Sequence, residues 1–442
     1  LSGAALSVMQ SAGGTIGARQ AGHHAVNLLL SGPAGGLKGA QFVAALGSEQ
    51  HLLSFDMGGT STDVALLDGG ISLTSEGHIG EYPVAVPMVD MHTIGAGGGS
   101  IARVDAGGLL LVGPESAGAD PGPACYGRGG TAATVTDANL VLGRLRPAAF
   151  RDGAMRLDLG AAQDAITGIA QQMGLGNEQA AQGIVDVANE HMAQALRVIS
   201  VQRGVNPGDF TLTAFGGAGG LHVCALAEAL GMEQALVPVH AGVLSAFGML
   251  VAPRGRQLSH TVRGLLQDHD DSQLKCWFER LSAQGAAELV EEGVDARAID
   301  TSFSLDLRYL GQSYTLNVPY RSIGQAVSKF HVAHQQRFGH RLHADVELVN
   351  LRAALSAGGS EISLRAEHRD SSGRPMERCM FVGVDGPVAV WWRDDLEIDV
   401  TVDGPLLVID AGATSYVAPG WAATRHASGC LLLDRRSDGA AG

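Results

Sequence analysis

The sequence predicts a mixed α/β fold, and three observations predict it. Two short apolar runs that are typical of buried strands, residues 52–55 and 210–215, each lead directly into a glycine-rich turn. A long helical pattern covers residues 177–203, with Ile184, Val187 and Val198 at helical spacing on one side. From residue 301 onward the apolar residues alternate, which favours strands.

Composition limits the class of protein. The chain has 442 residues, 45% of them hydrophobic and 17% charged, so it can bury a large core and form two or three domains. Its 30 basic and 45 acidic residues give a net charge of -15, which would repel phosphate backbones and anionic lipids. We therefore expect neither nucleic acid nor a membrane as partner, and no apolar run is long enough to span a bilayer.

Cysteine usage and the first residues bear on location. Five widely spaced cysteines without a CxxC pair indicate neither a disulfide framework nor a zinc ribbon. Residues 1–10 lack the basic and apolar segments of a secretory signal. The cysteine usage favours a reducing cytoplasm.

A change in pattern predicts a domain boundary at about residue 262. The 62 glycines are concentrated in the first half, and their clusters stop near residues 253–261. A charged helical stretch, residues 268–293, follows. We expect a glycine-rich first domain over 1–262 and a β-rich α+β domain over 263–442. The elements expected there are strands at 303–309, 313–318, 347–356 and 406–409, and a helix at 323–338.

The strongest motif is Asp56-Met-Gly-Gly-Thr-Ser-Thr-Asp63, directly after the first apolar run. Glycines let the backbone close around phosphate oxygens, threonines donate hydroxyl hydrogen bonds, and Asp56 or Asp63 could hold Mg²⁺ or an attacking water. An ordinary glycine-rich hairpin turn is the alternative. The predicted phosphate-binding residues are Gly58, Gly59, Thr60 and Thr62, with Asp56 and Asp63 as catalytic residues.

A second loop follows the second apolar run, in Phe215-Gly-Gly-Ala-Gly-Gly220, and a helical pattern over 221–230 comes next. Such a strand-to-helix junction offers backbone N–H groups and the positive end of a helix to an anion. A close crossing of strand and helix without a ligand would need similar glycines. The predicted binding residues here are Gly216, Gly217, Ala218 and Gly219.

Two other glycine runs fail their motif tests. In Ser31-Gly-Pro-Ala-Gly-Gly-Leu-Lys38, no Ser or Thr follows the lysine to hold Mg²⁺, so this is not a Walker A loop. In Gly95-Ala-Gly-Gly-Gly-Ser100, a serine replaces the third glycine of a dinucleotide fingerprint.

His78, Asp90 and His92 precede the second of these runs and are a candidate metal or catalytic cluster. A hydrogen-bonded structural pair is the more ordinary interpretation of such a triplet. Cys125 has no evident base nearby, which favours a structural thiol.

Taken together and in order, these motifs resemble the hydantoinase A / 5-oxoprolinase family, which includes acetone carboxylase subunits. The motifs that carry the resemblance are Leu30-Ser-Gly-Pro-Ala-Gly-Gly36, Phe55-Asp-Met-Gly-Gly-Thr-Ser-Thr-Asp-Val64, Ile94-Gly-Ala-Gly-Gly-Gly-Ser100, Gly118-Ala-Asp-Pro-Gly-Pro-Ala-Cys-Tyr-Gly127, Thr134-Val-Thr-Asp-Ala-Asn139 and Phe215-Gly-Gly-Ala-Gly219.

The resemblance implies half of an actin/Hsp70/sugar-kinase-like ATPase. Residues 56–63 would be its second phosphate loop and residues 215–220 its adenosine loop. The family's first phosphate loop has no counterpart near Leu1, so we expect that the chain lacks an N-terminal segment.

The implied activity is ATP- and Mg²⁺-dependent hydrolysis of a hydantoin or 5-oxoproline through phosphorylation of the carbonyl oxygen, with Asp56 as a Mg²⁺ ligand. A B-type subunit or domain would be the partner in an oligomeric complex. Two alternatives stay open: an ATP-dependent carboxylase subunit acting on a ketone and bicarbonate, and a non-catalytic nucleotide-binding remnant of a split gene.

Overall fold

A computed structural model describes residues 6–47, 49–74, 77–79, 82–84, 86–148, 155–358, 362–366 and 373–436. Helices and strands alternate in a mixed α/β arrangement, as predicted. Within these ranges, no helix is long and apolar enough to cross a membrane.

The α-helices of the described residues differ in length from one and a half to six turns. They are α1 (Ala18–His23), α2 (Ser31–Leu46), α3 (Val135–Val141), α4 (Leu159–Met173), α5 (Asn177–Ile199), α6 (Val223–Leu230), α7 (Leu244–Val251), α8 (Asp271–Glu291) and α9 (Ile323–Phe338).

The strands are mostly short. They are β1 (Ser7–Met9), β2 (Thr15–Gly17), β3 (His51–Met57), β4 (Thr62–Asp68), β5 (Leu73–Thr74), β6 (Gly77–Ile79), β7 (Tyr82–Val84), β8 (Met88–Val89), β9 (His92–Ile94), β10 (Ser100–Val104), β11 (Leu110–Ser116), β12 (Thr211–Phe215), β13 (Gln234–Val237), β14 (Arg254–Leu265), β15 (Ile299–Tyr309), β16 (Leu316–Pro319), β17 (Val346–Ala357), β18 (Glu377–Met380), β19 (Pro387–Trp392), β20 (Thr401–Asp403), β21 (Leu406–Ile409), β22 (Thr414–Val417), β23 (Trp421–Arg425) and β24 (Leu431–Arg435).

An eight-stranded sheet carries the candidate site, in the order β20-β23-β24-β13-β12-β3-β4-β9. At its centre β12 runs parallel to both β3 and β13, whereas β3 and β4 form an antiparallel hairpin. The strands β3 and β12 are buried because Leu53, Phe55 and Leu212 lie in the largest hydrophobic core. Parallel pairing therefore places the turns after β3 and β12 side by side.

The strand pairing crosses the predicted boundary at residue 262. Three strands of the last part of the chain, β20, β23 and β24, complete the eight-stranded sheet of the first part. A six-stranded sheet, β1-β2-β14-β17-β15-β16, joins the start of the chain to the second half, and β14 itself contains residue 262. The division into 1–262 and 263–442 stays a prediction.

Most predicted elements have counterparts. The long helix is α5, which ends at Ile199, and the predicted helix 323–338 coincides with α9. One element differs. The sequence of residues 64–74 is typical of a hairpin that turns at Asp68-Gly69-Gly70, but β4 pairs with β3 across the glycine turn, and only a single bridge, Leu67 to Ile71, joins it to the following segment. The reason is that Leu73 and Thr74 pair with β8 instead.

Glycines bring α2 and α7 into close contact. A side chain on Gly39 would lie 2.8 Å from the carbonyl oxygen of Leu244, and one on Gly248 would collide with the Gly35 backbone. The run that begins at Ser31 is thus a helix, packed on another helix. This confirms that it is no Walker A loop.

Candidate active site

The turn between β3 and β4 carries the first group of predicted residues. Gly58, Gly59 and Thr60 are exposed, and the Gly58 N–H donates to the Ser61 carbonyl oxygen at 3.1 Å. The backbone therefore closes the turn by itself. Its glycines present no side chain to an approaching ligand.

The two aspartates of this hairpin lie in one row. Asp56 on β3 is directly opposite Asp63 on β4, and Thr93 on β9 is opposite Asp63, to whose carboxylate it donates at 2.6 Å. Burial, and then the charge of Asp63, raise the pKa of Asp56 to about 6. Burial likewise raises the pKa of Asp63, and the Thr93 hydroxyl opposes that shift. Two neighbouring carboxylates suit a hard divalent cation.

Thr62 differs from the expectation. Its side chain is fully buried, and its hydroxyl donates to the Ala96 carbonyl oxygen at 2.5 Å. Alternation along a strand explains this, because Thr62 and Asp63 point to opposite faces. The Thr62 hydroxyl thus fixes the turn to the segment that follows β9 in the same chain rather than facing a ligand, whereas the exposed Thr60 can face one.

The glycine run 97–99 supports the turn from behind. Gly98 and Gly99 donate backbone hydrogen bonds to the carbonyl oxygens of Gly58 and Gly59 at 3.0 and 2.6 Å. A side chain on Gly97 would lie 2.7 Å from the Thr60 nitrogen. Close approach of two backbones accounts for these glycines, in agreement with the rejected dinucleotide motif.

The loop after β12 holds the second group, and it touches the first. Gly216 has φ +79°, and a side chain there would collide with the Met57 carbonyl oxygen and lie 2.5 Å from Asp56 Oδ1. The Ala218 N–H donates to the Met57 oxygen at 3.3 Å. Gly217 and Ala218 line a cavity beside the turn, while Gly219 is buried at the start of a 3-10 turn. The structure thus brings together the two predicted loops.

A third wall comes from the turn between β21 and β22, which sequence reasoning missed. Asp410, Gly412, Ala413 and Thr414 line the same cavity. The Asp410 carboxylate is held by Arg393, at 2.6 Å in the shortest contact. The sequence Asp-Ala-Gly between two apolar runs indicates a turn. No local pattern shows that this turn lies beside the two glycine loops.

The cavity of about 220 Å³ also contains two buried polar side chains, Asn139 and His222. Asn139 belongs to α3, and His222 immediately precedes α6. Burial, and then the charge of Arg144, lower the pKa of His222 to about 3, so its imidazole is neutral. Neither residue was predicted as part of the site.

Asp137 positions α3 and thereby Asn139. Its buried carboxylate accepts from the backbone N–H groups of Thr134, Ala124 and Cys125, at 2.8 to 3.2 Å, and from the Thr134 hydroxyl at 2.7 Å. This capping box also ties the loop around Cys125 to the helix. Cys125 is buried and its pKa is raised well above the usual range, which agrees with a structural thiol.

The candidate metal cluster is only partly described. Asp90 forms an ion pair with Arg203 at 2.5 Å, and His92 lies on β9 opposite Val64. The side chain of His78 lies outside the described residues. Within the ranges that the structure describes, no group of three His, Cys, Asp or Glu side chains is placed to hold a metal ion. Metal binding by these three residues stays a prediction.

The order of the motifs and the geometry of the two loops agree with the result of a family comparison. The profile of the family described as "Hydantoinase/oxoprolinase" matches residues 1–256, which is more than half of the chain. The chain belongs to the hydantoinase/oxoprolinase family. Its site residues up to His222 all lie within the matched region.

Relatives in the hydantoinase/oxoprolinase family include characterised enzymes. The chain is 36% identical to caprolactamase subunit alpha of Pseudomonas jessenii over 420 residues, covering 90% of this chain and 60% of that protein. It is 32% identical to 5-oxoprolinase 1 of Arabidopsis thaliana over 439 residues, covering 93% of this chain and 34% of that protein.

Solved structures extend the likeness over the chain. The crystal structure of the ATP-dependent caprolactamase from Pseudomonas jessenii has a TM-score of 0.84 at 33% identity, covering 97% of this chain and 65% of that one. Nucleotide-free acetone carboxylase has a TM-score of 0.76 at 24% identity, covering 98% and 64%, and shares the fold. This member of the hydantoinase/oxoprolinase family therefore spans less than two thirds of the proteins it resembles.

Proposed function

We propose that the protein carrying this chain hydrolyses a cyclic amide with the help of ATP, and that the chain supplies the second phosphate loop and the adenosine loop of an actin-like ATPase. The observation that carries this proposal is the convergence of two glycine loops on a pair of carboxylates. The loop after β12 touches Asp56 and Met57, at the end of β3. The named activities of the relatives support the reaction type.

Asp56 and Asp63 would hold Mg²⁺ in this site. Both carboxylates have raised pKa values because they are partly buried, and Asp56 also because Asp63 faces it. A divalent cation between them would remove that repulsion. Bound Mg-ATP would supply a phosphoryl group to the amide oxygen, so that water could add to the activated carbon and the ring nitrogen could leave with a proton; hydrolysis of the remaining acyl phosphate would give ADP, phosphate and the ring-opened acid.

The glycine turns would orient the nucleotide. Gly58, Gly59 and Thr60 are exposed at the end of β3 and can approach phosphate oxygens without a side chain between. Gly217 and Ala218 form a wall of the neighbouring cavity and would contact the adenosine. We further propose a B-type subunit as partner, in an oligomeric cytoplasmic complex.

The test is lactam-dependent ADP release by the intact protein together with its partner subunit. We expect ε-caprolactam, 5-oxoproline or hydantoin to stimulate ADP release, and Asp56→Asn and Asp63→Asn each to reduce that rate about 100-fold or more. The matched control is Asp68→Asn, at the exposed far end of the same hairpin, where the Asp68 carboxylate pairs with His51 across the strands.

Three results would overturn the proposal. ADP release that requires a ketone and bicarbonate, with no response to lactams, would indicate a carboxylase. Lactam-dependent release that is unchanged in Asp56→Asn would remove the loop from catalysis. Absence of nucleotide binding by the intact complex would indicate a non-catalytic protein.

A further inference from the structure

Two side chains that line the cavity, Asn139 and His222, each carry a buried hydrogen-bond acceptor with no partner among the described residues. The side chains of Asn139 and His222 are each 1% exposed. The atoms without a partner are Asn139 Oδ1 and His222 Nε2. A buried acceptor without a donor costs about 1–3 kcal/mol. A molecule that supplies donors would recover this free energy on binding.

The tautomer of His222 is determined by its neighbour. His222 Nδ1 lies 2.6 Å from the side-chain oxygen of Asn189, which can only accept, so Nδ1 carries the proton. The ring is neutral, because burial and Arg144 oppose protonation. His222 Nε2 is therefore an acceptor.

Asn139 leads to the same chemistry. Its Nδ2 donates to the Val135 carbonyl oxygen at 3.1 Å, which fixes the amide orientation and leaves Oδ1 as the acceptor. Two acceptors exclude an anion such as phosphate from this part of the cavity. The charge of Arg144, which depresses the pKa of His222, disfavours a cation.

Another part of the wall suits an uncharged ring, and the charge of Asp410, which also lines the cavity, is compensated by Arg393. Apolar lining comes from Val135, Leu145 and Leu221, with Tyr126 beside them. A ligand with an apolar ring and an uncharged N–H group matches both the walls and the acceptors.

We propose that Asn139 and His222 form a subsite that binds an uncharged N–H donor on a ring, with Asn189 as the positioning residue of His222. This inference rests on the proposed function, which supplies two sources of that N–H donor: the amino group of adenine and the ring N–H of a cyclic amide.

The decisive experiment compares matched ligands on the intact protein with its partner. Equilibrium binding is measured for ATP and for purine riboside triphosphate, which lacks the amino group, with lactam omitted. It is also measured for the lactam that best drives ADP release and for the cyclic ketone of equal ring size, in which CH₂ replaces N–H. Loss of the donor in one pair should weaken binding about tenfold to a hundredfold.

Each outcome decides the proposal. A loss in the purine pair assigns the subsite to adenine, and a loss in the lactam pair assigns it to the substrate. Equal binding within both pairs, with ADP release intact, overturns the subsite and leaves the proposed function standing. Failure to bind either ATP or lactam overturns both.

A variant and a spectrum provide independent readouts. Asn139→Leu should abolish the discrimination within the sensitive pair, whereas Asn177→Leu, on α5 outside the cavity wall, should retain it. If Asn139→Leu fails to fold, the response of the His222 Nε2 signal to the sensitive ligand still decides. ¹⁵N-histidine spectra should show His222 with an unprotonated Nε2 between about pH 5 and 8. The Nε2 signal should shift on addition of the sensitive ligand. A protonated Nε2, or a signal that does not shift, would overturn the proposal.

Discussion

Asp56 lies directly opposite Asp63 in the β3–β4 hairpin, so two carboxylates share one face of the sheet next to an exposed glycine turn. Like charges in such a cross-strand pair destabilise the sheet. Burial, and then this repulsion, raise the pKa of Asp56 to about 6. Two carboxylates that repel each other do not stabilise the fold. Their position beside a surface turn is therefore better explained by a cation that binds to both.

Replacing Asp56 with Asn should stabilise the protein in metal-free buffer at pH 8. The folded-state pKa of Asp56 is raised above the unfolded value of 3.8, so its contribution to stability is present below pH 3.8 and is lost as the pH rises through about 6. We expect Asp56→Asn to gain about 1–2 kcal/mol at pH 8 and nothing at pH 4. Urea unfolding at both values checks this, and an equal difference at the two pH values would contradict it.

Gly216→Ala should be far more destabilising than Gly231→Ala. Both glycines have positive φ, but a side chain at Gly231, the end of α6, meets open space, whereas one at Gly216 meets Met57 and Asp56. We expect a loss of about 1 kcal/mol at Gly231 and of at least about 3 kcal/mol at Gly216. Denaturant midpoints measure the difference, and similar losses at both positions would show that the loop is not tightly packed.

Asp137→Asn should destabilise the protein by about 3 kcal/mol. The carboxylate accepts four hydrogen bonds from buried donors, and an amide would place an N–H₂ group against some of them. The control is Asp158→Asn, since the Asp158 side chain caps α4 at an exposed position with one bond to the Ala161 N–H. Thermal unfolding of the two variants should show a much larger decrease for Asp137→Asn.

The cysteines should react with a thiol reagent at very different rates. Cys276 is exposed, whereas Cys125, Cys224 and Cys430 are buried. Burial raises the pKa of Cys224 to about 12, and only thiolates react. At pH 8 we expect rapid labelling of Cys276, slow labelling of Cys379, and labelling of the other three only after unfolding. Loss of the fast phase in Cys276→Ser is the control; a fast phase from Cys224 would contradict the buried environment.

Local pattern was sufficient for much of the fold. The predicted helix over residues 323–338 matches α9 because amphipathic spacing and the Ser322 cap are properties of consecutive residues. The two glycine loops were also predicted from sequence, since each follows a short apolar run, whereas their contact with each other was not. The alternation of side chains along β4 could also have been predicted from sequence, and it places Thr62 and Asp63 on opposite faces of the sheet.

The components of the site that depend on distant parts of the chain were not predictable. Asn139, His222 and the turn at residues 410–414 come from three separate segments, and each is ordinary in its local context. They meet because of the strand order in the central sheet and because α3, α6 and the β21–β22 turn pack beside it.

By itself the sequence determined the fold class, the family, the two glycine loops and the pair of acids, because these are recorded in the spacing of neighbouring residues. Only the tertiary structure decided that the end of the chain completes the central sheet, that the Thr62 hydroxyl is used internally, and that two unpaired acceptors line the cavity. The physical reason is that strand order and the partners of buried polar groups depend on how the whole chain packs.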